Sequence, residues 1–309
     1  MTPLAKKFAA WLRGLQPVRA LKIAFRSPFA LRASLREWRV AQTATYEFAI
    51  AGIFKNEAPF LDEWLTFHHG IGATQFYLYN NNSTDDYKIV LQPWIDRGLV
   101  TLTDWPAQPG QRSAYMHCIR KRWREAKWIA FIDLDEFLFS PRQVDIIPIL
   151  RAHLDMFALY VYSLNFGSSG YEKRPSIPVV EAYTQREPLA ATDSGKSIVN
   201  PRYVRNVPNS HCFALWTGQS MDINRLPASS PGARKPSDGR PVYDMLRVHH
   251  YWSRSNQDLI EKVSKGDAFF GGLRSLDLHL EREKVLNAEE DLSILPIWRA
   301  IRVKSGILI

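Results

Sequence analysis

Near the middle of the chain an apolar run, residues 128–133 (WIAFID), ends abruptly in acid at Asp133-Leu134-Asp135-Glu136. Six residues that are apolar at nearly every position, without helical spacing, describe a strand covered on both faces. Such a strand belongs inside a sheet with helices packed on each side. The chain upstream supplies those layers. Residues 46–54 (YEFAIAGIF) read as a first strand, and residues 59–69 as a helix with Phe60, Leu61, Trp64, Leu65 and His68 on one face. Residues 75–79 (QFYLY) are a second strand, 86–95 a helix, 99–103 a third strand and 113–126 a third helix. This alternation predicts an α/β fold with a mostly parallel, doubly wound sheet and right-handed crossovers.

In sheets of this kind ligands bind beyond the carboxyl ends of the strands. Those ends are polar here: Lys55, Asn56 and Glu57 after the first strand, Asn80 through Asp86 after the second, and the acidic cluster after the fourth. On an extended chain Asp133 and Asp135 share a face while Leu134 turns into the core, so two carboxylates can meet one hard cation, Mn2+ or Mg2+. A cation held there neutralises a diphosphate and helps it depart.

Several ordered blocks carry a resemblance. AIAGIFKNEAPFLDEWLTFHHGIGATQFYLYNNNSTDD, then WP…Q…AYMHCIR, then KWIAFIDLDEFLF resemble the core of the family 92 glycosyltransferases and of related family 2-like bacterial enzymes. NFGSSGYEKRP, KSIVNPRYV and LRVHHYWSRSNQDLIEKVSKGDA resemble later blocks of the same group, extending the likeness from about Phe48 to Ala268. The resemblance implies a GT-A (Rossmann-like) fold and a nucleotide-diphosphate sugar donor, UDP-galactose in the best-known members. It also implies a glycan or glycolipid acceptor, a divalent metal on the Asp-x-Asp motif and transfer with inversion.

It assigns candidate roles as well. Lys55, Asn56 and Glu57 would meet the nucleotide, and Asn82, Ser83 and Asp85 its base and ribose; the alternative for both groups is ordinary helix capping. Arg112 and Tyr115 open the third helix, where an anion such as the diphosphate is favoured. Lys196 and His211 fall in later blocks and face phosphate or acceptor. Glu136 either supports the metal pair or forms an ion pair. Inversion needs a carboxylate to take the acceptor proton. Glu172, at the end of the small-residue loop NFGSSGYE, is the first candidate and Asp193 the second. His250, in an expected strand over residues 245–252, is the candidate third metal ligand in preference to His249. Paired ligand spacings of the Cys-x-x-Cys or His-x-x-x-His type do not occur, which argues against structural zinc.

Other classes fit less well. The segment after the first strand is Gly52-Ile53-Phe54-Lys55-Asn56-Glu57, without the Gly-x-Gly-x-x-Gly turn of a dehydrogenase. A sugar nucleotidyltransferase or a non-catalytic nucleotide-sugar-binding protein remains as alternative.

Charge is informative because it is uneven. Of the formal net charge of +9, eight units come from the first 40 residues, which hold nine Lys/Arg against the single acid Glu37. The remainder is nearly neutral, so nucleic acid is not an expected partner. Residues 1–44 read as a helical arm with Leu4, Phe8, Trp11, Leu12 and Leu15 on one face. Two readings stay open for it: docking on an anionic membrane surface, or packing on the body. Two cysteines imply no disulfide framework, so a cytoplasmic location is expected, peripheral at the inner face of the membrane if the arm docks there. The expected organisation is this arm, a catalytic domain over 45–270 interrupted by a Pro/Gly/Ser-rich loop at 227–241, and a C-terminal helical cap over 271–309.

Overall fold

The computed structural model describes residues 44–189, 194–228, 241–265 and 276–306. The basic arm, Asp193 and most of the Pro/Gly/Ser-rich loop lie outside them. The first half alternates as expected: β1 (Tyr46–Phe54), α1 (Ala58–Gly70), β2 (Gln75–Asn80), α2 (Tyr87–Asp96), β3 (Val100–Asp104), α3 (Gln111–Arg122) and β4 (Ala126–Phe131). β1 pairs in parallel with both β2 and β4, and β2 pairs in parallel with β3.

Side-chain alternation along β1 explains why helices cover both faces. Phe48, Ile50 and Phe54 join a core with Trp64 of α1 and Leu91 of α2, whereas Ala49, Ala51 and Ile53 face Tyr115 and Ile119 of α3. Fully burying a large apolar side chain contributes roughly 1.5–3 kcal/mol, so β1 has apolar stabilisation on both sides and no face for water.

The second half departs from simple alternation. It contains β5 (Glu136–Phe139), α4 (Ile147–Ala152), β6 (Ala158–Phe166), α5 (Val179–Ala182), β7 (Gln185–Arg186), β8 (Gly195–Val199), β9 (Val204–Asn206) and β10 (Ala214–Leu215). After them come β11 (Arg247–Tyr251), α6 (Asn256–Lys265), α7 (Leu276–Leu286), β12 (Glu289–Glu290) and α8 (Leu295–Ser305). The main path runs β12-β7-β6-β8-β4-β1-β2-β3, with β11 pairing β6 in parallel and β5 antiparallel.

β8 lies antiparallel between β4 and β6 and is buried along its whole length. Gly195 permits this, because a Cβ there would stand 2.3 Å from the Val161 carbonyl oxygen. At the other end of the chain, Trp298 and Ile301 of α8 join the core that holds α1, so this C-terminal helix packs on the body directly. Among the described residues no helix is long and apolar enough to cross a membrane.

The acidic motif needs one correction. β4 ends at Phe131, and Asp133-Leu134-Asp135 forms a turn closed by the Glu136 N–H donating to the Asp133 carbonyl at 3.1 Å. Leu134 is buried as expected, but the two aspartates lie on a turn instead of a strand and are held by different partners, Asp133 by Lys196 and Asp135 by Lys262.

Candidate active site

The turn is clasped from α1. The indole N–H of buried Trp64 donates to the carbonyls of Asp133 (3.2 Å) and Glu136 (2.9 Å). This fixes the backbone while both aspartate side chains remain at the carboxyl edge of the sheet.

Asp133 is embedded in donors. Its Oδ1 accepts from Gln111 Nε2 (2.8 Å) and Tyr115 Oη (3.2 Å), and its Oδ2 lies 2.6 Å from Lys196 Nζ. Burial would raise the Asp133 carboxyl, but the Lys196 ammonium outweighs burial and holds it below the usual range. Lys196 also stands 3.4 Å from Glu136 Oε2. Burial nonetheless pushes Glu136 up to about 7, and Asp133 adds to the rise. The ammonium, disfavoured by burial, is carried above its ordinary value by Asp133 and Glu136.

Asp135 is served from the other side. Lys262 Nζ of α6 lies 2.6 Å from its Oδ2, and His250 Nε2 of β11 lies 3.5 Å from the same oxygen. Burial opposes the charge of Asp135 too, yet Lys262 and His250 hold it well below the ordinary carboxylate range.

The orientation of His250 follows from its neighbours. Register pairing sets it beside Asn165 of β6 and opposite Glu136 of β5. The Asn165 amide nitrogen donates to Glu187, which leaves its Oδ1 to accept from His250 Nδ1 at 2.9 Å. With Nδ1 turned to Asn165, the ring points its Nε2 at the Asp135 carboxylate. The imidazole nitrogen and the carboxylate oxygen, 3.5 Å apart at the edge of the sheet, are close enough for one cation to be shared between them. His249 turns the other way, fully buried against Phe139 and Phe166.

The residues present fit a divalent ion on these terms. Among the described residues no group of three or more His, Cys, Asp or Glu is disposed to hold one alone. Magnesium-type sites need less, since one or two protein ligands combine with substrate phosphates and water.

The loops after β1 and β2 interlock. Asn56 N–H donates to Ser83 Oγ (2.9 Å), Thr84 N–H to Asn56 Oδ1 (2.7 Å) and Ala58 N–H to Asp85 Oδ2 (2.8 Å). α1 is thus capped by Asp85 from the neighbouring loop, and Asn56 sits two residues before the helix. Asn56 and Asn82 take left-handed φ of 54° and 60°, a conformation asparagine tolerates. Asn82 Nδ2 donates to the Pro106 carbonyl at 3.2 Å. Lys55 is half-buried at the end of β1. Glu57 accepts from Arg254 Nη1 at 2.7 Å, while Arg254 Nη2 donates to the Leu134 carbonyl at 2.9 Å. Arg254 has φ 55°, unusual for a bulky residue, and it ties the β1 loop, the acidic turn and the start of α6 together.

Other candidates sit further from this centre or play different parts. Arg112 Nε donates to the Val207 carbonyl at 3.1 Å. Tyr115 is fully buried and bonds Asp133, so it positions the acid and does not open onto a diphosphate. His211 Nδ1 donates to the Gly195 carbonyl at 2.9 Å, at the root of the Lys196 strand. Burial and then Lys196 lower His211 to about 4. Glu172 is exposed beyond β6, its carbonyl accepting from the Gln257 N–H at 3.0 Å. Gln111, Asn165, Lys262, Arg254 and Trp64 were not among the residues singled out for the site. Trp64, Asn165, Arg254 and Lys262 all stood inside blocks already matched by resemblance, and for Arg254 and Lys262 charge within the block was the available signal.

Comparison with known proteins identifies the family of the chain. The family described as Glycosyltransferase family 92 matches residues 44–258. A glycosyltransferase family 92 protein of Oryza sativa subsp. japonica is 33% identical over 170 residues, covering 54% of this chain and 28% of the relative. Galactan beta-1,4-galactosyltransferase GALS2 of Arabidopsis thaliana is 27% identical over 134 residues, covering 39% of this chain and 26% of the relative. The chain therefore spans under a third of the length of these relatives. Among solved structures, S. aureus TarS 1-349 aligns at a TM-score of 0.36 and 13% identity, covering 50% of this chain and 47% of that one. With the family match running from the first strand through the start of α6, the chain belongs to glycosyltransferase family 92.

Proposed function

We propose that the chain is a metal-dependent glycosyltransferase that moves a hexose, galactose favoured, from a UDP-sugar to a hydroxyl of a glycan or glycolipid acceptor, with inversion. The observation that carries this reading is the Asp135–His250 pair, whose carboxylate oxygen and Nε2 stand 3.5 Å apart with the ring oriented by Asn165. A divalent ion bound there, Mn2+ or Mg2+, supplies the charge that steadies a departing diphosphate.

The protein's own residues do the remaining work. Lys196 keeps Asp133 ionised, and the Trp64 clasp holds the turn so that Asp135 stays at its station. The interlocked loops bearing Asn56, Ser83 and Asp85 form a rigid wall for base and ribose beside β1 and β2. In the transfer step the acceptor oxygen bonds to the anomeric carbon as the bond to the diphosphate oxygen breaks. The hydroxyl proton passes to a carboxylate, for which Glu172 on the loop after β6 is the first candidate and Asp193 the second. The galactosyltransferase among the relatives supports galactose as the sugar.

The test is nucleotide release from a panel of UDP- and GDP-sugars, with and without Mn2+, in the native chain and in Asp135→Asn. Release that needs both the ion and Asp135 is expected. Release indifferent to a chelator removes the metal from the reading. Donor binding without transfer or hydrolysis leaves a nucleotide-sugar-binding protein.

A further inference from the structure

Two ammonium groups occupy the acidic turn, and they differ in kind. Lys196 is on a buried sheet strand, with its side chain 2% exposed, and bridges Asp133 and Glu136. Lys262 is on a helix, with its side chain 26% exposed, and has two acceptors, Asp135 Oδ2 at 2.6 Å and the Trp252 carbonyl at 2.8 Å. Lys262 Nζ thus rests on the carboxylate oxygen that faces His250 Nε2.

A divalent ion shared by Asp135 and His250 and the Lys262 ammonium compete for that oxygen. Like charges would stand within a few ångströms of each other in a partly buried site where screening is weak. Lys262 can be displaced, because its stem is partly in water and the rest of α6 is anchored elsewhere. Ser255 and Asp258 bond reciprocally at the helix start, and Arg174 reaches Asp258 at 2.6 Å. A lysine leaving Asp135 four residues beyond Asp258 keeps its helix, and its charge then has an anionic destination if a diphosphate has arrived with the ion.

We infer that Lys262 is a tethered substitute cation: it occupies Asp135 in the free protein and transfers to the donor diphosphate when ion and donor enter together. This rests on the cation-site reading of Asp135 and His250. The consequence is positive linkage, in which the ion binds weakly alone and tightly with a diphosphate, and the diphosphate gains a fixed positive partner. Ion loading without donor is suppressed by the same contact that later grips the donor.

The experiment measures Mn2+ binding directly, by calorimetry or by the spectrum of the free ion, alone and with inorganic pyrophosphate. The proteins are the native chain, Lys262→Met, Lys262→Arg and Arg282→Gln; Arg282 lies 4.7 Å over the Trp252 ring and serves as a charge control. Lys262→Met is expected to bind Mn2+ alone at least tenfold more tightly and to lose at least tenfold of the strengthening by pyrophosphate. Lys262→Arg should keep the native pattern, and Arg282→Gln should leave it within about twofold. If Lys262→Met binds Mn2+ alone no better than the native chain, or if Arg282→Gln changes it equally, the exchange is overturned while the cation site stands. If no protein binds Mn2+ even with pyrophosphate, the cation-site reading fails and the exchange fails with it.

Discussion

Lys196→Met is the perturbation that most sharply tests how the acidic turn is held. The ammonium lies 2.6 Å from Asp133 and 3.4 Å from Glu136, and neither Lys196 nor Glu136 is more than 2% exposed. Removing one partner of a buried ion pair leaves a charge without compensation and typically costs about 3–5 kcal/mol. Asp133 keeps 31% of its side chain in water and two other donors, so the low end, about 3 kcal/mol, is expected. For a body of this size that loss lowers the melting temperature by roughly 6–12 °C.

The pH dependence has a definite sign. Lys196 lowers the carboxyl of Asp133 and opposes the rise of Glu136, so its removal moves both upward in the folded state. A carboxyl raised above its unfolded value costs stability where it would be ionised, so the penalty is larger at pH 8 and falls as the pH drops through the raised folded-state values toward the ordinary carboxylate range. Urea unfolding in chelator at pH 8 and pH 5 measures this, and the loss should be at least roughly halved at pH 5. Adding Asp133→Asn to Lys196→Met should recover about 1–2 kcal/mol relative to the sum of the single variants. A loss below about 1 kcal/mol at pH 8, or one no smaller at pH 5, would refute the argument.

Four shorter expectations complete the set. His250→Ala should reduce Mn2+-supported turnover more than Mg2+-supported turnover, since imidazole suits Mn2+ better; equal losses in the two metals, or a larger effect in His249→Phe, would remove His250 from the ion. Burial drives His68 and His249 each down to about 3, so the folded protein resists protons that the unfolded chain accepts. Stability should therefore fall as pH drops from about 6.5 toward 3, by up to about 1.4 kcal/mol per unit for each ring, and His249→Phe should flatten the slope. Gly195→Ala should destabilise by about 2 kcal/mol or more and displace Lys196, because the new methyl meets the Val161 carbonyl; an unchanged unfolding midpoint would contradict the packing of β8. A chain lacking residues 1–40 should lose salt-sensitive binding to anionic vesicles, and retained binding would assign the arm's charge to another purpose.

Much of the architecture was legible because its signals are local. β1 carries an uninterrupted apolar run and was read at its observed bounds, and β2, β3 and the first two helices lie within two residues of expectation. Helix α3 is shorter than expected because Ala126 already pairs with Tyr46, and sheet pairing overrides helical propensity there. The antiparallel insertion of β8 could not be read, since a five-residue segment containing Gly and Lys resembles a loop until its neighbours, β4 and β6, are known.

Sequence alone determined the layered sheet, the polar carboxyl edge and the presence of acids and a late histidine among the residues that meet there. Period and polarity are properties of short segments, and they decide which residues lie inside and which end a strand. Tertiary structure decided the partners. That Asp133 belongs to Lys196 across 63 positions and Asp135 to Lys262 across 127 depends on where β8 and α6 return to the turn. So does the orientation of His250, set by an amide 85 residues away that is itself held by Glu187. Electrostatic roles depend on distances of a few ångströms, and separations along the chain of this length leave such distances open until the chain has folded.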